Sequence, residues 1–444
     1  MRVFLRGVET LAVSACTFLL ITVFAHATET ALEKAPKKKP AMQTAASPVR
    51  QSVETEKSAA ADQALLEELQ SAAAADKKAQ TEPFSTTEKA VREATSFTYG
   101  SVSVDLSFIL DFAAAWFSST DQRPLRGGHS PDNQGFNFQG LEMVVDSAVD
   151  PYFGFLGTVI LMPESVEVEE AYLYTLALPL NLQLKAGQML ADFGRMNPSH
   201  PHTWNFVDPP LVNVAMFTGE GSRSLGAELS LLLPLPWYLE LKGQVLQPTT
   251  IISNSVGKND LEGVEDFVYL GRLINFFELS DSWSLWLGGS AMFGPNPSGP
   301  DNRTDLYGGD LYLKYRPVGY GRTGFFHIAY TGEFMWRQMQ VPEDLVKDWG
   351  ISNQLEFRWS KRWMNALRYD LLRLFEGDAS PYVNEKEWRA GASISFLPTE
   401  FSRIRLQYDY SRPEPEETNL YKSGIHAAYL QFEVSVGKHG AHKF

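Results

Sequence analysis

The sequence predicts an all-β fold: a transmembrane, antiparallel up-and-down β-barrel of about sixteen strands behind a flexible or partly helical N-terminal segment. The first observation is a two-residue alternation. Val102, Val104, Leu106, Phe108, Leu110, Phe112, Ala114 and Trp116 are apolar, whereas Ser103, Asp105, Ser107 and Asp111 lie between them. Successive strand side chains point to opposite faces, so one face is apolar and the other mostly wet. Strands usually run ~5 or 6 residues; this one continues from Val102 to Trp116, a length that suits a bilayer crossing. The second observation is that short and long links alternate along the chain, and the third is that tryptophans beside the links share the parity of the apolar face.

Taken in chain order, Arg2 and Arg6, the apolar residues 11–25 and the triplet Ala25-His26-Ala27 read as a secretory signal peptide over residues 1–27. Val13-Ser14-Ala15-Cys16 offers a lipobox-like alternative, although that cut would leave the apolar residues 17–25 on the mature chain. The apolar run is shorter than the ~20 residues a spanning helix needs. Cys16 is the single cysteine, so a mature chain without it forms no disulfide and no thiolate metal site. Residues 28–97 are rich in Ala, Lys, Glu, Gln, Ser and Thr and are interrupted by Pro36, Pro40 and Pro48, which reads as a periplasmic linker. Within it Ala61, Leu65, Leu69 and Ala72 would share one side of a short helix or coiled coil.

Residues 98–444 form the barrel. Short links at 150–151, 177–179, 234–236, 280–282, 317–322, 360–362 and 398–400 read as periplasmic turns. Longer polar links at 118–135, 191–221, 248–265, 294–303, 339–349, 375–386 and 412–423 read as outer loops. Residues 163–165 break the rule, being short at an outer position, which leaves the count open by two strands. Trp237, Trp283, Trp359 and Trp363 sit beside short turns with the parity of Leu239, Leu285, Phe357 and Leu367. Trp116, Phe293, Trp336, Trp388 and Tyr410 repeat the pattern at the opposite strand ends, giving two aromatic bands at two water interfaces.

The other parity is charged: Lys185, Glu240, Lys242, Glu333, Arg337, Glu356, Arg358, Arg368, Asp370, Arg389, Arg403, Arg405 and Asp409. Such groups are costly in a dry core. A water-filled lumen removes that cost, and sixteen strands enclose one. Because both signs occur together, the wall reads either as a pore lining with a transverse field or as a network of internal salt bridges. Arg358, Arg368, Arg389, Arg403 and Arg405 lie on adjacent late strands and are expected to face an acidic group across the lumen. Residues 1–97 carry 12 basic and 12 acidic side chains, so the whole acidic excess of 14 belongs to the barrel. That balance excludes nucleic acid as a natural partner and favours cations.

The longest link, 191–221, contains Asp192, Arg195, His200, His202, Asp208 and Glu220. At this loop the chain resembles the outer-membrane porins of Gram-negative bacteria. Val168-Glu169-Glu170-Ala171-Tyr172-Leu173, then Leu184-Lys185-Ala186-Gly187-Gln188 and Phe193-Gly194, are similar to the phosphate-selective-porin-like group. The resemblance spans roughly residues 100–444 in architecture. It implies a barrel set in outer-membrane lipid, a loop after strand five that folds inward and constricts the pore, and a homotrimer. Phe444 resembles the terminal aromatic read by the barrel assembly machinery, although the apolar alternation of the last strand stops at Val436. The basic ladder of the phosphate porins has few counterparts here, with only Arg195 and Arg223 near the loop, so weak cation preference is expected instead.

The function expected is therefore passive diffusion of small hydrophilic solutes or ions, with no cofactor and no enzymatic reaction. The alternative is a metal-binding receptor or transporter, in which His200 and His202, with Asp192 or Asp208, would hold zinc. His439 and His442 form a second pair, on the periplasmic side. Ser199 with His200 or His202 is the grouping that most resembles a nucleophile and base, but it sits in the loop and not at a lipid-facing rim.

Overall fold

The computed structural model describes residues 95–99, 102–119, 127–219, 221–248, 256–258, 261–318, 325–374, 385–414 and 424–437. The signal peptide, the linker up to residue 94, Glu220, His439, His442 and Phe444 lie outside the described residues.

A short strand β1 (Ser96–Tyr99) precedes β2 (Val102–Phe117), β3 (Gly135–Ala148), β4 (Phe153–Leu161), β5 (Val166–Thr175) and β6 (Leu182–Leu190). Next come helix α1 (Leu211–Met216), β7 (Arg223–Leu232), β8 (Tyr238–Leu246), β9 (Val268–Ser280), β10 (Trp283–Pro295) and β11 (Arg303–Tyr315). The chain continues with β12 (His327–Val341), β13 (Asp344–Arg358), β14 (Trp363–Leu374), β15 (Glu385–Thr399), β16 (Ser402–Glu414) and β17 (Ile425–Gly437). From β2 onward each strand pairs antiparallel with the next, and β17 closes on β2 with Phe432 opposite Phe112. The barrel thus has sixteen long strands, and β1 adds only a four-residue pairing to the start of β2. Pairing of β17 with β2 joins the two ends of the sheet, which is the condition for strands in lipid.

Two links differ from expectation or refine it. Residues 339–349 are not a loop: β12 and β13 run through them and turn at Pro342-Glu343, with Glu343 at φ +67°. Their polarity has another cause. Arg337 lies directly opposite Asp348 and ion-pairs with it inside the barrel, so an inward wet face imitates a loop composition. The short link after Leu161 is a real outer turn, closed by Met162 N donating to Ser165 O at 2.9 Å.

The apolar parity faces outward, where Phe112, Leu184, Leu229, Leu273, Phe334, Leu355, Leu367, Leu406 and Val434 are all exposed. Aromatic contacts mark both rims. At the short-turn end Trp359 stacks on Trp363 at 6.1 Å, and Trp363 meets Phe396 at 4.8 Å. At the other end Phe293, Tyr307 and Trp336 succeed one another at 5.7 Å, and Trp388 meets Tyr410 at 5.3 Å. The buried apolar core lies inside the barrel: Phe193, Leu211, Val212, Met216 and Phe217 of the loop after β6 pack on wall residues Met189, Leu246, Val268, Leu270, Met292, Leu306, Met335 and Leu372.

Candidate functional site

The link between β6 and β7 enters the barrel and is fastened to the wall by charge. Asp192, its second residue, receives Lys242 Nζ at 2.5 Å and an Arg272 guanidinium nitrogen at 2.7 Å, while its backbone N–H donates to Gln244 Oε1 at 3.0 Å. Arg272 also donates to the Gly194 carbonyl. Gly194 holds φ +62°, and a β-carbon there would run into the Glu333 carboxylate, so only glycine fits the approach. The next amide, that of Arg195, donates to Glu333 Oε1 at 3.0 Å. The Arg195 guanidinium lies 4.0 Å over the Tyr312 ring and 5.5 Å from that of Trp286.

The far arm of the loop meets the arginines of the late strands. Asp208 ion-pairs with Arg368 at 2.9 Å and with Arg389, and accepts from Gln407 Nε2 at 2.9 Å. Burial would raise its pKa, but Arg368 and Arg389 override that and hold the carboxyl well below the usual carboxylate range. Asp370 joins the same knot through Arg389 at 2.8 Å and Ser352 Oγ at 2.7 Å, and accepts from the Leu211 N–H at the start of α1. Asp409 lies 3.3 Å from Arg368. Arg403 donates to the carbonyls of Trp204 (3.0 Å) and His202 (2.9 Å) and pairs with Glu433; Arg405 donates to Gln431 Oε1 at 2.8 Å and to the Trp204 carbonyl. Arg337 reaches the Ala215 carbonyl at 3.3 Å. The expected five-arginine cluster is therefore four: Arg358 instead bonds the Lys361 carbonyl at 2.9 Å and covers Phe325, at the short-turn rim. Its acid is not across the lumen either, for Asp208 is brought to it by the loop.

The histidines occupy a third anchor. His200 sits between two carboxylates, Nδ1 at 3.0 Å from Glu169 and Nε2 at 3.0 Å from Glu170, and His202 Nδ1 lies 3.2 Å from Glu142. The two imidazoles stack at 5.8 Å. Burial alone would lower the His200 pKa, but Glu142 and the bonds to Glu169 and Glu170 hold it well above the ordinary histidine value. Asp192 and Asp208, the carboxylates expected beside these histidines, are engaged elsewhere. Among the described residues no group of three or more His, Cys, Asp or Glu is arranged to hold a metal ion. Ser199 Oγ donates to the Met196 carbonyl at 2.5 Å and accepts from Trp204 Nε1 at 2.9 Å, not from a histidine.

Of the remaining wall residues named from sequence, Lys185 pairs with Glu228 at 2.9 Å, Glu240 accepts from Tyr238 at 2.7 Å, and Glu356 accepts from Asn205 at 3.0 Å and meets His327 at 2.5 Å. Sequence reasoning missed Glu142, Glu169, Glu170 and Arg272, whereas Gln407 carries the inward parity beside Arg405 and Asp409 and was expected on the wall. A register shift in the β4–β5 pairing explains one omission: Thr158 faces Glu170 and Val159 faces Val168, so Glu169 is the extra residue of a bulge. Two consecutive carboxylates thereby reach one imidazole, against strict alternation. Arg272 did carry the inward parity and was legible on that ground.

No family model matches the chain. The fold is that of outer-membrane barrels. OmpT, an outer membrane protein of Vibrio cholerae, superposes with a TM-score of 0.50 at 10% identity over 77% of this chain and 99% of that one. The outer membrane channel DcaP of Acinetobacter baumannii gives 0.51 at 10% identity over 76% and 98%. An anion-selective porin from Comamonas acidovorans gives 0.50 at 10% over 75% and 99%. In sequence, an uncharacterized protein of Aquifex aeolicus (strain VF5) is 30% identical over 395 residues, spanning 77% of this chain and 80% of its own length. The chain belongs to one family with that Aquifex aeolicus protein.

Proposed function

We propose that this barrel is an outer-membrane porin of a Gram-negative bacterium, a homotrimeric channel for passive diffusion of small hydrophilic solutes and ions with weak cation preference. The observation that carries the reading is the combination of an apolar, aromatic-banded exterior with an inward face of charged side chains, across which a wall-anchored loop is folded. A barrel that spans lipid and keeps charges inside has water inside, and a loop across that water sets size and charge cut-offs. Cation preference is supported by the acidic excess of 14. Phosphate selectivity is not part of the reading, because Arg368, Arg389, Arg403 and Arg405 are engaged by carboxylates, side-chain amides and loop carbonyls. The trimer is supported by a structural neighbour described as a trimer form.

The test is single-channel recording of the refolded chain in planar bilayers with a KCl gradient. Stepwise conductance with a reversal potential of cationic sign is expected. A well-folded, silent barrel would refute the channel, and an anionic reversal potential would refute the preference.

A further inference from the structure

Four aromatic side chains form one row on the inner wall, between the loop and the short-turn rim. Tyr238 on β8 lies directly opposite Phe276 on β9, Phe276 opposite Trp286 on β10, and Trp286 opposite Tyr312 on β11. Their inward direction is fixed by contacts. Tyr238 donates to Glu240, Trp286 Nε1 donates to the buried Asp310 at 3.1 Å, and Tyr312 is covered by Arg195 of the loop. Phe276, paired with both Tyr238 and Trp286, shares their face. Tyr238 and Trp286 stack at 6.4 Å and 27°, reaching across the Phe276 strand. With strands ~4.8 Å apart, the row is about 14 Å long.

The row departs from the wall around it. Apolar inward groups nearer the loop, such as Leu270, Met292 and Leu306, are buried under it. The row is more open: Tyr238 is 37% exposed, Phe276 and Trp286 are half-buried, and Tyr312, at the end of the row, lies directly under a loop side chain, Arg195. Contiguous aromatic surface left open to water is a binding signal. The registers on either side of the row are polar. Toward the loop come Glu240 and Asp310, with Ile274 and Gly288 between them; toward the short turns come Glu278, Ser284 and Lys314.

We propose that this row is a docking strip for pyranose sugars passing through the lumen, which rests on the channel reading above. Flat ring faces select a solute with a flat apolar face. Glu240 on one edge and Glu278, Ser284 and Lys314 on the other select groups that both donate and accept hydrogen bonds and disfavour a solute of one strong charge. A pyranose has both features: an axial C–H face and a rim of hydroxyls. A simple ion has neither. Arg195 spreads its charge over Tyr312 and fixes one end of the strip to the loop, so sugar contact and constriction share a residue.

The experiment is a maltose titration of the full chain by two readouts. One is calorimetry in amine-oxide micelles, which carry no sugar headgroup; the other is maltose-induced current reduction in planar bilayers. Binding at about 1–10 mM is expected, weakened at least about tenfold by Tyr238→Ala and by Trp286→Ala. Trp286→Phe should retain most of it, which separates ring loss from misfolding. Leu287→Ala, on the outer face of the same strand, should bind as the parent does. Absence of heat with the parent chain, or affinity unchanged by Tyr238→Ala and Trp286→Ala, overturns the strip. Benzoate binding in place of maltose overturns the sugar assignment. A conducting channel indifferent to maltose sinks the strip and leaves the channel standing, whereas maltose binding by a silent barrel sinks the channel and leaves the strip.

Discussion

Asp208 shows why single loop residues matter in this molecule. It is buried together with the guanidinium groups of Arg368 and Arg389, which are themselves almost fully buried. Asp208→Asn keeps the shape and removes the charge that Arg368 and Arg389 share, leaving two buried guanidinium groups with only Asp370 and Asp409 beside them. The expected cost is about 3 kcal/mol, the range for breaking a buried pair from one side, read as a lowered guanidinium unfolding midpoint. An unchanged midpoint would mean that the loop arm is solvated in the membrane. His200 gives a pH dependence of definite sign. Its folded pKa is raised above the unfolded value, so its contribution is complete below about pH 6.5 and is lost as pH rises through the folded value. One ring nitrogen then no longer donates, and its bond to Glu169 or Glu170 must go. Open-channel noise should therefore increase as pH is raised through the elevated His200 value in the parent chain, and His200→Gln should remove that increase. Identical pH profiles would dissociate the histidine from loop docking.

At the scale of elements, alternation made the strands and their faces legible, because lipid and water each impose one chemistry on one parity. Inward placement of Lys242, Glu333, Arg368 and Arg405 followed from that rule alone. It failed where the local geometry departs from period two. Glu169 needs the β5 bulge to reach His200 beside Glu170, and nothing in the residues around it announces an extra position. It failed again at residues 339–349, where an inward ion pair and a two-residue turn compress what reads as a loop. The partners of loop residues were beyond reach for another reason: Asp208 and Arg389 are 181 positions apart, and pairing over that distance is set by how the loop threads the closed barrel. The loop itself is the element to test. Replacing residues 195–219 by a short Gly-Ser linker should raise single-channel conductance several-fold, since the freed arginines and carboxylates can be hydrated by lumen water. Conductance equal to that of the parent chain would show that the narrowest passage lies elsewhere.

The whole molecule is a boundary between two solvents one residue thick. Leu367 and Arg368 are neighbours on β14, yet the first is 58% exposed on the outer wall and the second is buried against Asp208. Leu367 lies near mid-height, between the Trp363–Phe396 contact at one rim and the Tyr369–Trp388 contact toward the other. In lipid, a cation at that depth costs about 2–4 kcal/mol, falling toward zero at the interfaces. Leu367→Lys should therefore destabilise the barrel by that amount when refolded into bilayers. The same substitution at Trp359, beside the short-turn interface, should cost much less. The depth dependence is the decisive part. If the exterior met another protein or water, the two substitutions would differ by local packing alone, whereas a hydrocarbon slab makes the penalty follow height along the wall.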